Sequence, residues 1–121
     1  MKLADNFYII HRCEIVQDNT FLVEVELLPN HSIYEGHFPG QPVVPGVCTL
    51  TIIRECLGKI LNKDVKFSAI KDCKYVSALL PYDGLRITIN LTLTEALKLN
   101  ANVVRNDDQQ MVLKLRAEIK C

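Results

Sequence analysis

The sequence lacks tryptophan, and only 7% of its residues are aromatic. It also lacks an excess of positive charge, because 14 lysines and arginines balance 14 aspartates and glutamates. Without that excess, the bulk attraction to nucleic acid or anionic lipid is missing. No apolar run reaches the roughly 18 to 20 residues of a membrane-spanning helix. These absences argue against a nucleic-acid-binding protein and against a membrane span.

Cysteine pairs of the Cys-x-x-Cys type and a secretory signal are both missing. The five cysteines are odd in number and scattered, which predicts reduced thiols and a cytoplasmic protein. The three histidines lack the close spacing of a helical or finger-type metal site. We therefore predict neither a metal nor a cofactor.

The length of 121 residues and the hydrophobic content of 49% suit a single core. We predict one domain over residues 1–121. Apolar residues alternate with polar ones within residues 21–28, 85–94 and 111–120, which indicates half-buried strands. Residues 7–16 are predicted to form a hairpin with the first of these runs. Residues 65–76 and 97–104 add two strands, and we expect the former to open a C-terminal meander.

One segment, residues 47–63, predicts a helix. Its polar residues fall at spacings of three and four and form a narrow stripe: Thr51, Arg54, Glu55, Gly58, Lys59 and Asn62. The apolar residues that we expect to face elsewhere are Val47, Leu50, Ile53, Leu57, Ile60 and Leu61. A helix with so large an apolar surface must be covered by a broad sheet. About six antiparallel strands and one helix therefore predict an α+β protein in which a curved sheet wraps around the helix.

A run rich in proline and glycine precedes the helix, and residues 36–47 read Gly-His-Phe-Pro-Gly-Gln-Pro-Val-Val-Pro-Gly-Val. It places His37, a base suited to proton transfer near neutral pH, beside a helix N-terminus whose free N–H groups favour negative charge. Such a pair is suited to removing a proton from a carbon next to a carbonyl. Cys48 lies in the same first turn, where we expect it to pack as a small apolar residue.

The run closely resembles the signature of the 3-hydroxyacyl-[acyl-carrier-protein] dehydratases of the hotdog-fold superfamily. The resemblance implies a hotdog fold over almost the whole length, and an acyl thioester of acyl carrier protein or coenzyme A as substrate. It implies that His37 removes or adds water across C2–C3 and that the Gly46 N–H holds the thioester oxygen. Substrate-binding roles follow for Phe38, Pro45, Val47 and Thr51.

The family carries Glu or Asp on the helix at the position of Thr51. A hydroxyl cannot donate a proton as a carboxylic acid does, and losing a general acid costs about 10² to 10⁴ in rate. Glu55, one turn further along the helix, is our tentative catalytic replacement. A solvated or intersubunit charge that pairs with Arg54 or Lys59 is its non-catalytic interpretation. A water molecule held by Thr51 is a second candidate for the role of the missing acid.

Relatives pair so that their sheets join, so the resemblance implies a homodimer that can assemble further. Three hypotheses follow from these residues. The first is a dehydratase of fatty-acid, lipid or polyene synthesis. The second is a thioesterase in which a helical carboxylate such as Glu55 activates water. The third is a catalytically weak acyl-thioester-binding subunit that needs a partner carrying the acid.

Overall fold

The computed structural model describes residues 2–35 and 43–121, and within these ranges the chain forms one six-stranded sheet and one α-helix. The strands are β1 (Tyr8–Gln17), β2 (Thr20–Leu27), β3 (Lys66–Tyr75), β4 (Arg86–Leu93), β5 (Lys98–Arg105) and β6 (Met111–Lys120). The helix α1 spans Gly46–Leu61, and a short 3-10 helix spans Ser32–Glu35. The predicted strands and helix are thus confirmed, with small shifts at their ends.

The strand order is β1-β2-β4-β5-β6-β3, and every neighbouring pair is antiparallel. The β1–β2 hairpin is confirmed, and its turn contains Asn19 with φ of 65°, a conformation that asparagine tolerates better than most residues. One face of the sheet packs with α1 into a single core. The sheet contributes Val23, Val25, Leu27, Ile87, Ile89, Leu91, Leu99, Val103, Leu113, Leu115 and Ile119 to it.

The position predicted for β3 is wrong. It does not open the C-terminal meander but pairs with β6 at the far edge of the sheet, so β4 lies between β2 and β5. The connection from Tyr75 to Arg86 is long enough to cross the ends of β6 and β5. Alternation predicts which face of a strand is buried, but it does not choose the neighbouring strand.

The helix ends two residues earlier than predicted. Asn62 adopts a left-handed conformation with φ of 54°, and its N–H and that of Lys63 bond to the Lys59 and Gly58 carbonyls. The face of α1 also differs from the predicted one, because Thr51 is only 7% exposed whereas Val47 is 58% exposed. The helix buries a stripe centred on Cys48, Ile52 and Cys56, and this stripe turns Val47 outward.

Candidate active site

The N-terminus of α1 has two backbone donors without acceptors in the described part of the chain. Pro45 is the extended N-cap residue, and its carbonyl accepts the N–H of Cys48 at 2.9 Å and that of Thr49 at 3.4 Å. The N–H groups of Gly46 and Val47 have no partner among residues 2–35 and 43–121. Free amides at the positive end of a helix stabilise an oxygen that carries negative charge.

The ring of Tyr75, the last residue of β3, lies directly against Gly46. A Cβ atom at position 46 would stand 2.7 Å from Cε1, Cζ and the hydroxyl oxygen of Tyr75, so only glycine leaves room for this ring position. Both residues line a cavity of about 320 Å³, together with Val43, Val44, Thr49 and Ser77. The cavity and the unpartnered amides place the candidate site at this end of the helix.

A larger cavity of about 650 Å³ lies near the other end of α1. Charged side chains of both signs line it, among them Arg54, Lys59, Asp64 and the predicted site residue Glu55. Of the sequence motif, the described residues 43–47 do not line it. We therefore place the candidate site at the smaller cavity, beside Gly46.

Thr51 is buried, and its hydroxyl donates a 2.8 Å hydrogen bond to the carbonyl of Val47 one turn earlier. A hydroxyl has only one proton, so this bond commits the Thr51 proton to the helix backbone. Thr51 retains lone pairs that can accept a hydrogen bond. It has no proton free to give to a leaving group.

The Glu55 carboxylate is held by the N-terminal segment of the chain. It accepts the N–H of Leu3 at 2.9 Å and that of Ala4 at 3.0 Å, and the hydroxyl of Tyr8 donates to it at 2.9 Å. These contacts tie the start of the chain and β1 to α1. They differ from the predicted surface pairing with Lys59, and they direct the carboxylate toward the N-terminal segment.

The structure brings Pro45, Gly46 and Val47 together at the helix N-terminus, one turn before Thr51. His37 and Phe38 lie outside the described residues. The Cys48 thiol is buried and its pKa is raised by that burial, which agrees with the packing role predicted for it. A thiol in this state is a poor nucleophile at neutral pH.

Two tyrosines at or near this end of the helix were not predicted as site residues from the sequence. Tyr34 is 8% exposed, and its buried hydroxyl has no hydrogen-bond partner in the described part of the chain. Burial, with a smaller contribution from Cys48, raises its pKa to about 12. Tyr75 ends a strand, and strand alternation gives no sign that its ring reaches Gly46. The position of Tyr34 just before the motif is the one sequence feature that could have indicated its place near the site.

Among the described residues, no cluster of three or more histidine, cysteine, aspartate or glutamate side chains is arranged to hold a metal ion. Within the same ranges, no helix combines the length and the apolar character needed to cross a membrane.

The chain matches the ApeI-like family, described as ApeI dehydratase, over residues 13–116. It is 29% identical over 102 residues to the 3-hydroxyacyl-[acyl-carrier-protein] dehydratase FabZ of Lactiplantibacillus plantarum. That alignment covers 75% of this chain and 69% of the relative. The resemblance to this dehydratase family, inferred from the motif, is thereby confirmed.

Solved structures show the fold. The dehydratase heterocomplex ApeI:P from Xenorhabdus doucetiae matches with a TM-score of 0.80 and 21% identity, covering 93% of this chain and 97% of that chain. A hypothetical thioesterase from Streptococcus pneumoniae, solved with coenzyme A, matches with a TM-score of 0.61 and 12% identity over 96% of this chain and 89% of that one. The predicted hotdog fold is confirmed.

Proposed function

Because this chain belongs to the ApeI-like family of dehydratases, we propose that it removes water from a 3-hydroxyacyl thioester, or adds water to the 2-enoyl product. The thioester is carried on acyl carrier protein or coenzyme A, and no cofactor or metal takes part. The observation that carries this proposal is the pair of amides at Gly46 and Val47, which have no partner among the described residues and end the sequence motif that contains His37.

In this proposal His37 removes the proton from C2. The electron pair moves toward the thioester oxygen, which the N–H groups of Gly46 and Val47 bind. A preorganised donor aimed at such developing charge is worth about 3 to 4 kcal/mol of barrier. Phe38 and Pro45 contact the acyl chain or the pantetheine arm.

The leaving hydroxyl needs a proton, and neither helical candidate is free to supply one. The Thr51 proton bonds to the Val47 carbonyl, and the Glu55 carboxylate is occupied by Leu3, Ala4 and Tyr8. We assign the transfer to His37 itself. Its imidazolium returns the proton taken from C2 to the departing hydroxide, so water leaves and the imidazole ends neutral. With no separate acid, we expect turnover slower than in relatives by up to about 10² to 10⁴.

We propose that the active protein is a homodimer in the cytoplasm, able to assemble further. Large apolar side chains stand exposed around β3 and the start of α1, namely Val47, Ile70, Tyr75, Val76 and Leu80. The strand β3 is also an edge strand with unpaired backbone groups. A second copy that pairs along this edge would cover both features.

A second candidate function follows from Thr51. A subunit without an acid at this position would bind acyl thioesters and depend on a partner that carries one. The similar dehydratase from Xenorhabdus doucetiae is a heterocomplex, which is the kind of assembly that this candidate requires. The thioesterase hypothesis is weaker, because the carboxylate of Glu55 that would activate water is already bonded to the N-terminal segment.

The test is hydration of a short trans-2-enoyl-carrier-protein substrate, followed by the mass gain of one water. We expect turnover in the natural protein, a loss of about 10² to 10⁴ in His37→Ala, and no comparable loss in Glu55→Gln or in the control His11→Ala. Turnover that survives His37→Ala contradicts the assignment of the base.

The remaining outcomes separate the other hypotheses. Activity confined to Thr51→Glu, or to a mixture with an acid-carrying partner, favours the binding subunit. Release of free thiol in place of hydration favours the thioesterase. Hydration that falls in Glu55→Gln as far as in His37→Ala would make Glu55 the acid.

A further inference from the structure

The contact between Tyr75 and Gly46 brings a phenol hydroxyl to the helix N-terminus. Three atoms at the hydroxyl end of the ring, Cε1, Cζ and the oxygen, stand within 2.7 Å of the position that a Cβ of residue 46 would take. The residue is 53% exposed, so its side chain is only partly covered by the described residues. Hydroxyl, amide and cavity therefore meet at one place.

We propose that the Tyr75 hydroxyl is a further hydrogen-bond donor to the thioester oxygen, beside the N–H groups of Gly46 and Val47. This inference rests on the proposed function and names a residue of the same site. When the C2–H bond breaks, its electron pair moves to the thioester oxygen and forms an enolate. When the C3–O bond breaks, the pair returns to form the C2–C3 double bond. Tyr75 donates throughout and keeps its proton.

The surroundings of the phenol fit a donor. Burial raises the pKa of Tyr75, and the neighbouring Cys73 thiol raises it further, in part through a side-chain hydrogen bond, so the hydroxyl stays protonated at neutral pH. Sulfur is a weak acceptor, so a thioester oxygen that gains negative charge can take its place. The Ser77 hydroxyl lines the same cavity, but it donates to the Met111 carbonyl at 2.7 Å. Its proton is therefore committed, as that of Thr51 is.

The glycine at position 46 is explained by the same contact. Any side chain there would meet the phenol, and the ring would have to swing away from the helix N-terminus. A glycine thus keeps the hydroxyl beside the amide that binds the oxygen. If Tyr75 served only in packing, its ring would be needed but its hydroxyl oxygen would not. Removing the hydroxyl alone therefore distinguishes a packing role from a hydrogen-bonding role.

The experiment compares Tyr75→Phe with Tyr82→Phe, which removes the hydroxyl of another exposed tyrosine, one bonded to Asp107 at 2.6 Å. We expect kcat for hydration to fall by about 10² in Tyr75→Phe with KM changed less than about threefold, as for loss of one oxyanion donor. Tyr82→Phe should retain the natural kcat.

A second measurement does not depend on turnover. The carbonyl stretch of a bound butyryl thioester, which has no 3-hydroxyl to lose, should lie at lower frequency in the natural protein than in Tyr75→Phe. A natural kcat and an unchanged carbonyl stretch in Tyr75→Phe, with activity lost in His37→Ala, would overturn this inference and leave the proposed function standing. A natural protein that neither hydrates the substrate nor shifts its carbonyl stretch would overturn both.

Discussion

The hydroxyl of Tyr8 donates a 2.9 Å hydrogen bond to the carboxylate of Glu55, which links the first strand to the helix. The same carboxylate accepts the backbone N–H groups of Leu3 and Ala4. A single side chain on α1 therefore fixes the start of the chain. This is a structural task for a residue that the sequence also predicts as a replacement acid.

We predict that Glu55→Gln lowers the free energy of unfolding by about 1 to 3 kcal/mol, because the charge that strengthens these hydrogen bonds is removed. Urea denaturation measures the change. The matched control is Glu95→Gln, at an exposed position, which should stay within about 0.5 kcal/mol of the natural protein. Equal stability of the two variants would contradict the role assigned to Glu55.

We expect replacement by phenylalanine to have different effects on stability at the two buried tyrosines, Tyr8 and Tyr34. Tyr8→Phe removes a hydroxyl that bonds to Glu55 and should cost about 1 to 2 kcal/mol. Tyr34→Phe removes a buried hydroxyl with no partner in the described residues, so stability should stay the same or rise by up to about 1 kcal/mol. Thermal unfolding of the pair tests this. A clear loss in Tyr34→Phe would reveal an acceptor for its hydroxyl.

Gly46→Ala should act on activity more than on stability. The new Cβ meets the outer end of a half-exposed ring, which can rotate away, so we expect a change in unfolding free energy within about 1 kcal/mol. The displaced phenol should lower kcat about as far as Tyr75→Phe does. Because both changes remove the same hydrogen bond, the double variant should be no worse than either single one. Multiplicative losses in kcat would contradict this coupling.

Stability should decline in alkaline solution. Burial raises the pKa of the Cys56 thiol from 9.0 to about 12, and it raises the pKa of Tyr34 from 10.0 to about 12. Below pH 9 both groups are protonated whether the chain is folded or unfolded, so their contribution is complete. Between about pH 9 and 12 the unfolded chain loses protons first, and each group then lowers stability by up to about 1.4 kcal/mol per pH unit.

Urea denaturation at neutral pH and near pH 10.5 measures this decline. Tyr34→Phe removes one of the groups whose pKa is raised by burial, so its stability should fall less steeply above pH 10. A profile as steep as that of the natural protein would show that Tyr34 does not contribute to the alkaline loss.

Much of the fold follows from the sequence because local patterns carry it. The alternation of Val23 and Val25 with Glu24, and the helical spacing of Ile53 and Leu57, each report burial within one element. The motif from Gly36 to Val47 indicated both the family and the end of the helix that holds the candidate site. These inferences need only neighbours in sequence.

The tertiary structure decided what depends on distant residues. It placed β3 beside β6, because the 10-residue connection after Tyr75 is long enough to cross the ends of β6 and β5. The alternation of apolar and polar residues does not reveal such a crossing. It bound Glu55 to Leu3 and Ala4, more than 50 residues away, and it set Tyr75 against Gly46. Hydrogen bonds and close contacts form between groups that the folded chain brings together, so sequence by itself determined the elements and the motif, and packing determined their partners.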